Sequence, residues 1–200
     1  MLRVFNRSTA GQRIAGPCRR ARIALRAIDL GADWIDIGGV PFGRGPAVCV
    51  DAEIERVVPV IEAVLAVRPD VVISVDTNRA AVARAAIAAG AAVVNDTSGL
   101  ADPDMASVIA TGGAHVVITH SVGPPRQEKP PARFDDVVDE VRAFLRERIR
   151  RAEAAGIPRD RSSSTPTRPS SPRHPCAPSS TRSRMPPRIA GGRSSASPTS

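Results

Sequence analysis

The chain has 200 residues, of which 42% are hydrophobic and 24% are charged, so it is long enough for one domain with a sizeable core. Its net charge of +8 comes from the two ends, because residues 1–28 and 161–200 each hold seven arginines and no acidic residue. An acidic body with 2% aromatic residues argues against nucleic-acid binding, and no apolar run reaches the roughly 18 residues that a membrane helix needs.

The body of the chain alternates between short β-branched runs and stretches with apolar residues at helical spacing. Before this pattern begins, residues 1–22 are predicted to be an irregular N-terminal segment that holds at most a short strand. In chain order the predicted elements are a short strand at 2–5, a helix at 23–30, a strand at 34–37, a helix at 51–68, a strand at 71–76, a helix at 79–89, a strand at 92–94, a helix at 103–111, a strand at 115–120 and a helix at 134–155.

This alternation predicts an α/β fold with a parallel sheet and right-handed crossovers. Each strand after the first ends in polar or glycine residues, and only a barrel collects all such ends at one mouth. We therefore expect a partial TIM (β/α)₈ barrel of roughly strands 1–5 over residues 23–160, because a full barrel takes about 250 residues. No GxGxxG motif follows a strand, which argues against a dinucleotide site.

The last forty residues have a different composition. Residues 161–200 contain twelve serines, eight prolines and seven arginines and almost no large apolar side chain. A segment of this kind cannot bury a core, so the sequence predicts a disordered tail.

Three cysteines are scattered through the chain, at Cys18, Cys49 and Cys176. None lies in a CxxC motif or beside a histidine, which argues against a zinc site and against a disulfide framework. This cysteine usage is typical of a protein in the reducing cytoplasm.

Three motifs occur in the order and spacing of one known family. They are Ile35–Gly39 (Ile-Asp-Ile-Gly-Gly), Ile73–Thr77 (Ile-Ser-Val-Asp-Thr) and Val94–Leu100 (Val-Asn-Asp-Thr-Ser-Gly-Leu), and the helix ending Ala154–Pro158 agrees as well. Together they resemble dihydropteroate synthase, the pterin-binding barrel of folate synthesis. The resemblance covers about residues 23–160.

The resemblance implies a condensation of dihydropterin-methyl diphosphate with 4-aminobenzoate, assisted by Mg²⁺. Carried onto this sequence, it implies that Asp76 and Asn95 bind the pterin ring and that Asn6 contacts the metal. A carboxylate and a carboxamide can match the donor and acceptor edge of an aminopterin. For a complete barrel the resemblance also implies a homodimer.

The chain departs from the family's pattern in its loops. Ser8–Gly11 supplies no carboxylate where the family has Thr-Pro-Asp-Ser-Phe, and Val40–Gly43 replaces Glu-Ser-Thr-Arg. The family's later Asp, Lys, Arg and His positions have no counterpart. We therefore expect a divergent branch of the family, and no synthase activity from this chain as written.

The serine run suggests a reason for the altered tail. If residues 162–166 use TCN, TCN, TCN, ACN and CCN codons, the frame one base earlier encodes three residues from Val, Ile, Leu or Phe, followed by residue choices that include Asp-Pro. The family has an apolar strand and Asp-Pro at this point, so the sequence predicts a frameshift near Arg161. Residues 8–22 are a second candidate segment.

Several alternatives remain open at this stage. Asp76 could cap the following helix, His120 could be a general base or only a hydrogen-bonded loop residue, Arg44 could meet an anion or only solvent, and Asp36 could hold loops by backbone hydrogen bonds. At the level of the whole protein, the alternatives are a pterin- or folate-binding methyltransferase-type barrel and a non-catalytic paralogue or fragment.

Overall fold

A computed structural model of the chain describes residues 2–4, 16–41, 46–121 and 136–165. The chain divides into two units, residues 1–168 and residues 169–200, and all described residues lie in the first. Its elements in order are β1 (Leu2–Val4), α1 (Pro17–Asp29), β2 (Trp34–Gly38), α2 (Val50–Leu65), β3 (Val72–Asp76), α3 (Ala80–Ala88), β4 (Val93–Asp96), α4 (Met105–Gly112), β5 (His115–Thr119), α5 (Val137–Ala154), a 3₁₀ turn (Arg159–Arg161) and β6 (Ser162–Thr165).

The six strands form one sheet in the order β1-β2-β3-β4-β5-β6, and every neighbouring pair is parallel. Consecutive parallel strands joined by helices are the arrangement of a (β/α)₈ barrel taken in order. The predicted α/β fold and partial barrel are therefore confirmed. None of the described helices is both long enough and apolar enough to cross a membrane.

The strands have one apolar and one polar face, because successive side chains alternate across a strand. The apolar face packs against the helices and forms the core with α1, α2, α3 and α4. We call the opposite side of the sheet the inner face; it carries Asp36 on β2, Ser74 on β3 and Asn95 on β4. The core residues of the helix-facing side are Ile35, Ile37, Ile73, Val75, Val94, Val116 and Ile118.

Helix α1 begins earlier than the sequence predicted. It starts at Pro17, where a missing N–H costs nothing because the first helical N–H groups have no intrahelical partner, so the prediction of irregular structure is wrong for residues 17–22. The buried stripe of α1 is made of Arg20, Ala21, Ala24 and Ala27. Small alanines carry the packing here, which is why a search for large apolar residues missed this turn.

The sheet also continues one strand beyond the prediction. Ser162–Thr165 forms β6, which pairs with β5 through Val116 to Thr119. The prediction that the strands stop at five, and that structure is absent from residue 161 onward, is therefore wrong for residues 162–165. The rest of the predicted tail, residues 166–200, lies outside the described residues.

Two helix starts show where capping groups lie. At α2 the N-cap position is Cys49, so the helix begins just before the predicted start at residue 51, and Asp51 lies inside the first turn. At α5 the cap is Asp136, whose carboxylate accepts hydrogen bonds from the backbone N–H groups of Val138 at 2.8 Å and Asp139 at 3.1 Å.

Candidate functional site

Asp76 and Asn95 lie side by side at the carboxyl ends of β3 and β4. They are register partners in the parallel pairing of the two strands, and Gly38 of β2 is the partner of Asp76 on its other side. A β-carbon on Gly38 would lie 3.7 Å from the Asp76 Oδ2 atom, so the glycine places no side chain of its own beside this carboxylate. The structure therefore brings together the two residues that the sequence selected for ligand binding; their role stays a prediction.

Asp36 of β2 lies on the same inner face and is contacted by side chains of β3 and β4. The Ser74 hydroxyl donates to Asp36 Oδ1 at 2.7 Å. The Asn95 amide nitrogen Nδ2 lies 3.4 Å from Oδ1 and 3.3 Å from Oδ2 of the same carboxylate. Asp36 is only 3% exposed, so these side-chain donors stabilise a buried carboxylate, and its expected backbone hydrogen bonds stay a prediction.

Glu53 of α2 holds the end of β3 in place. Its Oε1 accepts a hydrogen bond from the Thr77 hydroxyl at 2.9 Å, and its Oε2 accepts one from Arg79 Nη1 at 2.8 Å. Thr77 Oγ1 in turn accepts the backbone N–H of Arg79 at 3.3 Å. The Glu53 carboxylate is buried, and such a group is stable only when it is paired in this way. Helix α2 thereby positions the segment that directly follows Asp76.

Two arginines hold the end of β2. Arg20 Nη2 donates to the Gly38 carbonyl at 2.7 Å, Arg20 Nη1 donates to the Arg56 carbonyl, and Arg56 Nη1 donates to the Gly39 carbonyl at 3.1 Å. Burial, and secondly the nearby charge of Arg56, lower the pKa of Arg20 from its usual value. These contacts tie the Gly38-Gly39 segment to α1 and α2.

Asp96 lies on the helix-facing side of β4 and shapes the loop after that strand. Its carboxylate accepts the Ser98 backbone N–H at 2.7 Å, the Ser98 hydroxyl at 2.6 Å and the Leu100 backbone N–H at 2.7 Å. Leu100 has a φ of 59°, a left-handed conformation that is rare for a leucine and needs such support. Burial raises the pKa of Asp96 in spite of these three donors. Asp96 is therefore a loop-forming residue.

The backbone N–H groups at the start of α3 donate hydrogen bonds to nearby side chains. The Ala80 N–H donates to Asp102 Oδ2 at 2.9 Å, and the Arg79 N–H donates to the Thr77 hydroxyl. These two contacts supply the capping that was considered for Asp76.

His120 follows β5 and is 7% exposed. Its ring lies edge-to-face on Phe144 of α5, with 4.9 Å between the centroids and 88° between the planes. This contact joins the end of β5 to α5 and adds to the apolar burial of Phe144. Neither Asn6 nor Arg44, which the sequence singled out, belongs to the described residues.

The described part of the chain holds no cluster of the usual metal-binding side chains. Within it, no group of three or more His, Cys, Asp or Glu side chains could hold an ion. The assignment of Asn6 as a metal contact depends on the resemblance alone.

Sequence reasoning missed Ser74, Glu53 and Arg20. Glu53 gave a usable signal, because it lies on the buried stripe of α2 four residues before Val57. Ser74 gave another, because it is the polar residue two positions before Asp76 on the same face of β3. The partners of Arg20 are backbone carbonyls, which a sequence pattern does not show.

Comparisons with known proteins all point to one family. The model of the family described as pterin binding enzyme matches residues 8–162. Over 141 residues the chain is 45% identical to inactive dihydropteroate synthase 2 of Mycobacterium tuberculosis, covering 68% of this chain and 44% of that protein. Over 135 residues it is 38% identical to dihydropteroate synthase of Escherichia coli, covering 67% of this chain and 48% of that protein.

A solved structure agrees with these relatives. Xanthomonas albilineans dihydropteroate synthase with 4-aminobenzoic acid matches with a TM-score of 0.68 and 39% identity, over 78% of this chain and 55% of that one. The chain spans about half the length of the relatives that it matches here.

Proposed function

The chain belongs to the family of pterin-binding enzymes and is similar to dihydropteroate synthase, and from this membership we propose that its inner face binds the pterin ring of a dihydropterin through Asp76 and Asn95. The observation that carries the proposal is the direct register pairing of these two residues at the carboxyl ends of β3 and β4. One carboxylate and one carboxamide, side by side on a buried polar face, suit the edge of an aminopterin ring.

The proposed reaction type is the family's, the joining of a dihydropterin diphosphate to 4-aminobenzoate in folate synthesis. The matching structure from Xanthomonas albilineans was determined with 4-aminobenzoic acid, which supports this second substrate. We assign Mg²⁺ and its contact with Asn6 to the same proposal, together with a cytoplasmic location and a homodimer for the complete barrel.

In that reaction the residues of this chain would bind and orient the pterin, whereas the departing diphosphate needs cations placed in advance. Losing one such electrostatic contact typically costs about 10²–10³ in rate. Within the described residues the sheet runs from β1 to β6 without closing into a complete barrel, which is the enclosure that keeps water from the reacting centre. We therefore expect this 200-residue chain, by itself, to bind a pterin without making dihydropteroate.

A second candidate function is pterin binding without synthase activity in any longer form of the protein. The 45% identity to a relative called inactive dihydropteroate synthase 2 favours it, as does the replacement of Glu-Ser-Thr-Arg by Val40–Gly43. A longer chain that binds pterin and yields no product would distinguish this candidate from the first.

Calorimetry with 6-hydroxymethylpterin tests the shared part of both candidates. The wild-type chain should bind, and Asp76→Ala should lose most of the affinity, since an unpaired buried donor costs about 1–3 kcal/mol and more when its partner was charged. Asp70→Ala, which removes an exposed carboxylate just before β3, is the matched control and should bind like the wild type. Equal affinities for Asp76→Ala and wild type would refute the assignment of Asp76.

A further inference from the structure

Asp36 determines which way the Asn95 amide faces. An amide carries a donor nitrogen on one side and an acceptor oxygen on the other, and the surrounding hydrogen bonds decide between the two orientations. An ionised carboxylate only accepts hydrogen bonds, and Asn95 Nδ2 lies 3.3 and 3.4 Å from its two oxygens. The reversed orientation would bring the amide oxygen against this carboxylate, so the nitrogen is held on the Asp36 side.

The rest of the contact set agrees with this orientation. Ser74, the register partner of Asp36, also gives a donor to the carboxylate, at 2.7 Å from Oδ1. The amide oxygen of Asn95 is then on the side away from Asp36. Its register neighbour on β3 is Asp76, whose carboxylate is a second acceptor on the same rim.

We propose that Asp36 is a positioning residue which fixes Asn95 as a hydrogen-bond acceptor, so that Asn95 and Asp76 together select a ligand edge with two adjacent N–H donors. This inference rests on the proposed pterin binding and names its selectivity. The ligand class is a 2-amino-4-oxo pyrimidine edge, on which an exocyclic amine lies beside a ring N–H. A 2,4-dioxo edge replaces that amine with an acceptor and should be rejected, because acceptors would then face acceptors.

An exchange of the two side chains tests the proposal. In Asn95→Asp alone, two carboxylates meet at the distance that now joins an amide to a carboxylate, and pterin affinity should fall by about tenfold or more. In the double variant Asp36→Asn/Asn95→Asp, the amide at position 36 donates to the carboxylate at position 95. Position 95 again offers an acceptor to the ligand, so affinity should return to within about threefold of wild type.

A second variant addresses selectivity. In Asp36→Asn alone, the new amide can offer either its oxygen or its nitrogen, so the Asn95 amide is no longer held in one orientation. The ratio of affinities for 6-hydroxymethylpterin and 6-hydroxymethyllumazine should then fall by about threefold or more. Ser74→Ala removes a donor to Asp36 without touching Asn95, and this control should keep the wild-type ratio.

The amide can also be observed without any ligand. The chain has three asparagines and two glutamines, so a nitrogen-edited NMR spectrum contains five side-chain amide pairs. The Asn95 pair is the one that disappears in Asn95→Asp. Its position should change in Asp36→Asn and stay close to the wild-type position in Ser74→Ala.

These experiments can distinguish a failure of the proposed pterin binding from a failure of the positioning role of Asp36. If the wild-type chain binds no pterin, the proposed function fails, while the amide spectrum still decides whether Asp36 holds Asn95. If the wild type binds, the positioning role is overturned by a double variant as weak as Asn95→Asp, or by Asn95→Asp binding as tightly as wild type. It is also overturned if Ser74→Ala loses as much selectivity as Asp36→Asn. Circular dichroism of each variant confirms that the fold is retained.

Discussion

Gly39 packs directly against Glu53. A β-carbon added to this glycine would lie 2.7 Å from Glu53 Cγ and 3.0 Å from both the Glu53 carbonyl oxygen and Val57 Cγ2. Glu53 is the residue that holds Thr77 and Arg79 at the end of β3. The carboxyl ends of β2 and β3 therefore both depend on Glu53, and its position requires that residue 39 has no side chain.

Gly39→Ala should consequently disturb both rims. We expect it to lower the free energy of unfolding by about 1–3 kcal/mol, the usual cost of overpacking, and to weaken pterin binding because Glu53 has to move. Gly38→Ala is the matched control for stability, since its β-carbon would meet ordinary contacts of 3.5 Å or more. Urea unfolding measures the difference in the free energy of unfolding between the two variants. Equal values would show that Glu53 can move aside without loss of stability.

Asp96→Asn tests the loop after β4. An amide accepts hydrogen bonds only through its oxygen, so at least one of the three N–H and O–H groups now bonded to Asp96 would face another donor. We expect a loss of about 1–3 kcal/mol at neutral pH. Asp104→Asn, at an exposed aspartate that starts α4 without a side-chain cap, should change stability far less.

The pH dependence of that loss follows from the raised pKa of Asp96. Above its usual value of 3.8 the unfolded state releases this proton while the folded state keeps it, so the group's contribution to stability falls as pH rises through the interval up to the raised value. Asn does not titrate. The stability difference between wild type and Asp96→Asn should therefore be largest in acid and narrow with rising pH. Urea unfolding from about pH 4 to about pH 8 checks the sign, and a difference that widens with pH would contradict it.

Gly99 and Gly113 offer a matched pair with the same backbone conformation. Their φ values are 70° and 72°, so alanine meets the same left-handed strain at both positions, about 1 kcal/mol. A β-carbon on Gly99 would also lie 2.6 Å from Phe144 Cζ, whereas one on Gly113 would come no closer than 3.6 Å to the Arg161 side chain. Gly99→Ala should therefore cost at least about 1 kcal/mol more than Gly113→Ala, because α5 or the loop has to shift.

Thermal or urea unfolding of these two variants measures that excess. Phe144→Leu in the Gly99→Ala background should recover part of it, because the shorter side chain withdraws the clashing ring atom. Equal losses for the two alanine variants would mean that Phe144 moves away freely.

Two truncations separate β6 from the residues beyond it. A chain that ends at residue 168 keeps every described element and should unfold like the full chain, since residues 169–200 contain only two large apolar side chains, Met185 and Ile189. A chain that ends at residue 161 loses β6 and leaves the edge of β5 unpaired. We expect it to lose about 1–3 kcal/mol, the order of two net backbone hydrogen bonds, and to bind an apolar dye more strongly. Equal stability of both truncations would show that β6 adds nothing.

The sequence predicted the parts of the fold that depend on large apolar side chains and on strand ends. The strand pattern placed Asp76 and Asn95 at strand ends, where a parallel sheet presents polar groups, and the family resemblance then selected them for ligand binding. The register that joins Asn95 to Asp36 could not be obtained in this way, because one sequence does not show how neighbouring strands align.

The sequence did not predict the start of α1 or the burial of Glu53 on α2, and both have a physical reason. At the start of α1 only Arg20 and Ala21 are buried, and an arginine-rich turn has no strong apolar period. On α2 the apolar residues Ile54 and Val58 are only partly buried, whereas the buried stripe includes Glu53 and Val60. A charged residue is normally assigned to solvent, so only the partners Thr77 and Arg79 explain why Glu53 is inside.

Strand β6 is the one element whose alignment its own side chains cannot specify. Ser162, Ser163 and Ser164 are identical, so a slip of one residue against β5 replaces each serine by another and exchanges one hydroxyl-lined face for the other. In an amphipathic strand such a slip would expose the core, and that penalty normally fixes the alignment. Here the penalty is missing, and the strand is kept in place from upstream, by the 3₁₀ turn and by the buried Ile157 that anchors the end of α5. The serine run itself therefore does not oppose register slippage at this edge, and the alignment depends on residues outside the strand.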